Sequence, residues 1–174
     1  MQSELKNIDT ILTELDATTS NLQNDFLHFT NDNFNQRPSP AEWSAAHIAE
    51  HLLLIEVIAA NALTGAGIPT NRVPDEKLAI IKWAMLNETK RFAPDVVNPT
   101  GGEKELQKSL EQLIQQREEL KKAVIAADLS EACTSFKHPA LGTLTKLEWA
   151  WFVIYHMQRH LKQLNNVRER ILQQ

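Results

Sequence analysis

Apolar residues recur at spacings of three, four and seven along most of this chain, and strand-like alternation is scarce. Over about residues 3–30, Leu5, Ile8, Leu12, Leu15, Leu22, Phe26 and Phe29 keep that rhythm, so one face of an amphipathic helix is apolar. The run from Asn31 to Pro38 ends it with turn chemistry. A second helix is expected over about residues 40–63. Ser39, Pro40 and Glu42 read as a capping box with proline at the first helical position. Gly65 and Gly67 stop that helix. Ile48, Leu52, Leu53, Leu54, Ile55, Val57 and Ile58 cover most of its circumference, which predicts a central place in the fold.

A long connection follows, over about residues 67–102, with prolines at 69, 74, 94 and 99. Within it, about 75–91 can form a short helix with Leu78, Ile81, Trp83 and Met85 to bury. Such a length can return along a bundle, which would leave the second and third long helices parallel. The third helix is expected over about 103–127, with Leu106, Leu110, Leu113, Leu120 and Val124 as a narrow stripe. Its Glu118-Glu119 and Lys121-Lys122 runs read as a solvated face. A loop over about 128–144 leads to a second capping box, Thr145 to Glu148. The last helix then runs to about residue 172, burying Ala150, Ile154, Met157, Leu161, Leu164 and Ile171. The fold class is therefore all-α: a four-helix bundle with one long crossover and a short accessory helix, as one domain over residues 1–174.

Composition narrows the function classes. The chain has 174 residues, 43% hydrophobic and 23% charged, with a formal net charge of −4. Basic residues are scattered, which argues against a nucleic-acid partner. The start of the chain lacks the basic and apolar runs of a signal peptide, and no uncharged apolar stretch approaches the roughly 20 residues that span a bilayer. No membrane association and a cytoplasmic location are expected. The one cysteine, Cys133, has no intrachain disulfide partner and lies in a loop, which suits a structural role better than a nucleophilic one.

Candidate chemistry lies in the histidines. His47 and His51 are four residues apart, and so are His156 and His160. On a helix each pair projects from one face. Two rings from one helix and a third from a facing helix can hold a divalent metal and leave coordination positions open for chemistry. A single pair among six histidines is a weak motif; two pairs on capped helices carry more. Counted from Ser39 and Thr145, both pairs fall near mid-helix, with His51, His156 and His160 roughly 17–22 Å from the capped ends. Gln163 continues the face of His156 and His160 and is placed to orient a ring or a metal-bound water. His28 suits the end of the first helix, where a cation complements the dipole. His138, before Pro139, is expected to shape its loop, with a place at the mouth of a site as the alternative. Trp149 and Trp151 can wall a pocket or simply pack. No carboxylate offers a clear general base: Glu50 adjoins His51 but points about 100° away around the helix.

Trp43-Ser44 followed by His51, and the run Gly142-Thr-Leu-Thr-Lys-Leu-Glu148-Trp149 leading into His156, Arg159, His160 and Gln163, resemble the DinB superfamily, most nearly its metal-binding branch. That resemblance implies an up-down-down-up four-helix bundle, often a homodimer. It implies a metal held by His51, His156 and His160, with His47 as an extra residue behind the ligands or lining the pocket. It also implies a metal-dependent enzyme, either a transferase using a low-molecular-weight thiol such as bacillithiol or mycothiol, or a hydrolase. Zinc and nickel are the expected metals, with a small-molecule substrate as partner. A non-catalytic bundle that binds a metal or small molecule for sensing or interaction is the competing reading.

Overall fold

Four long helices frame the molecule. The computed structural model describes residues 7–87, 89 and 93–173, and among these it has six α-helices. They are α1 (Ile8–Phe26), α2 (Asn31–Phe34), α3 (Ala45–Thr64), α4 (Leu78–Leu86), α5 (Leu106–Ala126) and α6 (Lys146–Ile171). A 3-10 turn, Asp95–Val97, lies in the crossover between α4 and α5. The expected start of the first helix, with Leu5, lies outside the described residues.

Pairings across the bundle fix its topology. Glu50 and Glu56 of α3 meet Lys104, just before α5, and Arg117, within it, at 3.2 and 2.5 Å. The numbers rise together, so α3 and α5 run parallel. Asp16 of α1 meets Lys121 at 2.8 Å while Thr18 meets Arg117, so α1 and α5 are antiparallel. One apolar cluster joins Ile11 and Leu15, Ala59 to Leu63, Leu120 to Val124, and Leu147 to Tyr155. A second joins Leu22 and Phe26, Ala45 to Leu52, Leu113, and Met157 to Ile171. α6 therefore opposes α3, and the order is up-down-down-up, as the family resemblance implies. α3 has the length and composition to cross a membrane, but half of it is buried against its neighbours.

Three local expectations are corrected. α3 begins at Ala45, and its cap is Ser44, whose hydroxyl accepts the His47 N–H. Ser39 instead bonds the Glu42 carboxylate at 2.6 Å, and Glu42 also pairs with Arg170, so the local capping pattern is consumed by a turn. Trp83 is 65% exposed. Leu78, Ile81 and Met85 share the buried face of α4, and Trp83, two residues from Ile81, falls about 200° around from it. The loop before α6 also holds a two-residue strand, β2 (Ala132–Cys133), antiparallel to β1 (Gly67–Ile68). Two-residue strands are too short to leave an alternating pattern. They fasten the start of the crossover to the segment that leads into α6.

The start of α6 is strongly held. Thr145 and Glu148 form the expected capping box. The Glu148 carboxylate, fully buried, also takes two bonds from Arg72 and one from the Lys77 backbone N–H. The crossover is thereby tied to the helix that carries two of the histidines.

Candidate metal centre

The two apolar clusters meet halfway along the bundle, and three histidines lie at that junction. His51 of α3 faces His156 and His160 of α6, and all three are buried. The Nε2 of His156 is 3.1 Å from the Nε2 of His51 and 3.1 Å from that of His160. One ring nitrogen from each lies within 4.8 Å of the others. His51 is seven residues past its true cap, about 10 Å, so its depth does not match that of His156 and His160. The rings still meet because α3 and α6 run in opposite directions.

The outer nitrogens fix the tautomers. The Val97 carbonyl can only accept, so His51 donates Nδ1–H to it at 2.8 Å and keeps its lone pair on Nε2. His160 donates Nδ1–H to Gln163 Oε1 at 2.8 Å, with the same result. The Nε2 of His156 faces both lone pairs. A neutral imidazole has one proton, so it satisfies at most one of them. A cation at the common point satisfies all three rings together. Nitrogens about 2.0–2.1 Å from one ion stand roughly 2.9–3.4 Å apart between octahedral and tetrahedral angles, which brackets the separation found here.

Burial keeps these rings neutral, the form that binds metals. It pushes His160 down to about 3, helped by the repulsion that a second proton would meet from a protonated His51. It lowers His51, and His156 lies well below the usual range through burial and then its histidine neighbours. Trp43 closes one side, its ring 5.0 Å from that of His51 and stacked 6.5 Å from that of His160.

The histidines open into a cleft of about 1060 Å³, walled by Trp43, Ile55, Val97, His138, Trp149 and Phe152 among others. Arg159 lines it and bonds the carbonyls of Met85, Asn87 and Thr89, fastening the segment after α4 to α6. Trp151 does not line it; that ring stacks on Tyr155 at 5.4 Å. Cys133 is buried in β2, 3.3 Å from the Ser135 hydroxyl, and His28 is exposed beyond α1.

His47 does not take the place expected of it. Its Nδ1 meets Ser44 Oγ at 2.6 Å and its Nε2 accepts from Arg37 at 2.8 Å, away from the cleft lining. Its lone pair already has a cation. We predict that His47→Ala retains metal stoichiometrically, measured by elemental analysis of tag-free protein; equal loss in His47→Ala and His51→Ala would make it a fourth ligand. Gln163→Leu, which frees the His160 ring to turn, is expected to weaken metal affinity by about 10- to 100-fold in a chelator competition. One contact at the site had no sequence signal: the Val97 carbonyl is backbone. Trp43 belongs to the same sequence motif as His51, but nothing in that motif shows its contact with the rings.

The sequence model of the DinB superfamily matches residues 12–164. The chain is 26% identical over 150 residues to the uncharacterized protein YuaE of Bacillus subtilis (strain 168), covering 85% of this chain and 91% of that one. Two solved structures are similar in fold. TT2238, a four-helix bundle protein, has a TM-score of 0.60 at 21% identity, over 92% of this chain and 99% of its own. YfiT from Bacillus subtilis, described as a probable metal-dependent hydrolase with an unusual four-helix bundle topology, has a TM-score of 0.60 at 17% identity, over 95% and 88%.

Proposed function

The chain belongs to the DinB superfamily, and on that premise we propose that it is a metal-dependent enzyme acting on a small molecule held in the cleft. One observation carries the reading: three neutral rings bring their Nε2 atoms together on the wall of an open cleft, where a single imidazole proton leaves at least one lone pair unsatisfied. A structural zinc site is closed by four protein ligands, whereas three leave room for a reactant. A divalent cation there would supply Lewis acidity, polarising a carbonyl and acidifying water or a thiol brought beside it. The protein's own groups do the rest. Val97 and Gln163 fix the ring orientations, Trp43 screens the rings from water, and Arg159 steadies the cleft wall.

Hydrolysis is one version, and the description of YfiT supports it. A second version, transfer involving a low-molecular-weight thiol, is favoured by a specific feature. Among the described residues, the carboxylates lining the cleft are Glu42 and Glu169, and Glu42 is paired with Arg170. Glu169 lies nine residues beyond His160 along α6, about 13 Å. A free thiol, with a pKa near 8.5, needs far less help from a general base than water does.

Tag-free protein loaded with zinc or nickel should turn over esters, amides or thiol-plus-electrophile pairs faster than His156→Ala does. The nickel form should develop sulfur-to-metal charge-transfer absorption on adding a thiol if the transferase version is right. If wild type and variant match on every substrate, the protein is a binding bundle and not an enzyme.

A further inference from the structure

One end of the cleft is built differently from the rest. Phe136, His138, Trp149 and Phe152 pack there, edge to face except for the tilted His138–Trp149 pair, with ring centroids 4.9–5.9 Å apart. The segment from His138 to Gly142 is a tight turn, closed by an antiparallel bridge between its two ends. Gly142 has φ +71°, in the left-handed region where a side chain is strained. The turn aims the backbone N–H groups of Ala140 and Leu141 at His138 Nδ1, at 3.2 and 3.1 Å.

An N–H only donates, so Nδ1 is the lone-pair nitrogen and a neutral His138 carries its proton on Nε2. Burial holds His138 down to about 4, so the ring is neutral at ordinary pH. Its Nε2–H has no hydrogen-bond partner among the described residues. Trp149, 1% exposed, also lines the cleft, and its buried indole N–H lacks a partner as well. An unpaired buried donor costs about 1–3 kcal/mol, so the Trp149 N–H calls for an acceptor, and the partly exposed His138 offers a second unpaired donor beside it. Both donors are uncharged. Two nearby cations are engaged with backbone carbonyls, Lys77 with those of Leu141 and Thr143 and Arg159 with those of Met85, Asn87 and Thr89, while Arg170, paired with Glu42, lies 21 residues along α6 from Trp149, about 30 Å.

We propose that this aromatic end is a substrate subsite for an uncharged planar group bearing a carbonyl or ring-nitrogen acceptor, with His138 Nε2–H and Trp149 Nε1–H as the donors that receive it. The inference rests on the cleft being the substrate site, and it assigns His138 and Trp149 to recognition.

Benzamide is the probe, followed by ¹H–¹⁵N spectra of the indole groups in metal-free and zinc-loaded protein. The Trp149 indole signal is expected to move downfield and saturate in both forms, with Trp83 unmoved. Toluene, which has no acceptor, should leave the Trp149 signal near its starting place. His138→Asn keeps an acceptor where Nδ1 stood, so the turn survives, but it removes the Nε2–H. It should weaken benzamide about three- to tenfold, the usual worth of one neutral hydrogen bond. Trp149→Phe should do the same, and His138→Gln should restore part of the affinity. No binding, a Trp149 indole that stays put while benzamide binds, or equal affinities in wild type, His138→Asn and Trp149→Phe would each overturn the subsite. Because the readout is an indole signal, failure of the metal reading leaves it intact. Failure of the subsite in turn leaves metal content unchanged.

Discussion

Replacing His156 with alanine is expected to abolish metal binding while leaving the helical fold in place. His156 is the middle ring, the one whose Nε2 approaches both others at 3.1 Å. Its loss leaves only two of the three ring nitrogens that would hold a cation. Disturbing a group that merely supports a ligand already costs about 10- to 100-fold in affinity, so loss of a ligand should exceed that. Thermal unfolding reads the effect directly. Metal at about 100 times its Kd stabilises a folded protein by about 2.7 kcal/mol, or roughly 5–11 °C for a chain of this size. Wild type should gain that on adding zinc, and His156→Ala should gain less than about 1 °C. Apo stability of the variant is expected to fall only modestly, since the ring removed faces lone pairs it cannot all satisfy. A zinc-induced shift that survives the substitution would remove the three-histidine centre from consideration.

Arg117→Met is the second large effect, and it depends on pH. Arg117 and Glu56 are 2% and 1% exposed and meet at 2.5 Å between α5 and α3. Glu56 Oε2 has no hydrogen-bond partner among the described residues. Burial pushes the Glu56 carboxyl up to about 7, against the opposing pull of Arg117. The native protein thus takes up this proton more readily than the unfolded chain does. The associated stability is fully present below pH 4.5 and is lost as pH rises through about 7. Removing Arg117 takes away the one force that favours the carboxylate. At pH 8 the variant should lose about 3–5 kcal/mol, a fall in Tm of roughly 6–20 °C. At pH 4.5, where Glu56 holds its proton in the native state, the loss should shrink to about 1 kcal/mol. Pairing Arg117→Met with Glu56→Gln should recover most of the loss at pH 8. A loss independent of pH would mean that Glu56 is ionised throughout.

Much of this architecture is written in periodicity. The α6 stripe is buried as its spacing requires, those of α1 and α5 are buried except for the partly buried Ile8, Leu12, Leu106 and Leu110, and Thr145 with Glu148 marks the start of α6 without ambiguity. The histidine pair on α6 follows from its four-residue spacing. What escaped the sequence was decided by contacts between distant segments. Ser39 and Glu42 satisfy every local rule for a helix start, yet Arg170 captures Glu42 from the far end of the chain. The Glu56–Arg117 pair was hidden because Arg117 sits on a charge-rich helix, where one more charged residue gives no sign of facing inward. The choice between His47 and His51 could be made from family pattern but not from spacing. Only the structure shows Arg37 and Ser44 holding His47 aside. His138, expected mainly to shape its turn, proves to do so through Nδ1 while the same ring borders the cleft.

The wide separation of the ring nitrogens along the chain bears on how the protein is made. His51 and His156 are 105 residues apart. At ribosomal speeds of about 5–20 residues per second, the first emerges roughly 5–20 s before the second. Through that interval α3 can exist, but the three-histidine cluster cannot, because α5 carries no histidine and α6 is still to be made. The packing of α1, α3 and α5 therefore relies on their apolar faces and their own ion pairs, not on an ion held by the histidines. Any metal is acquired afterwards, by a finished protein drawing on whatever ions its compartment supplies.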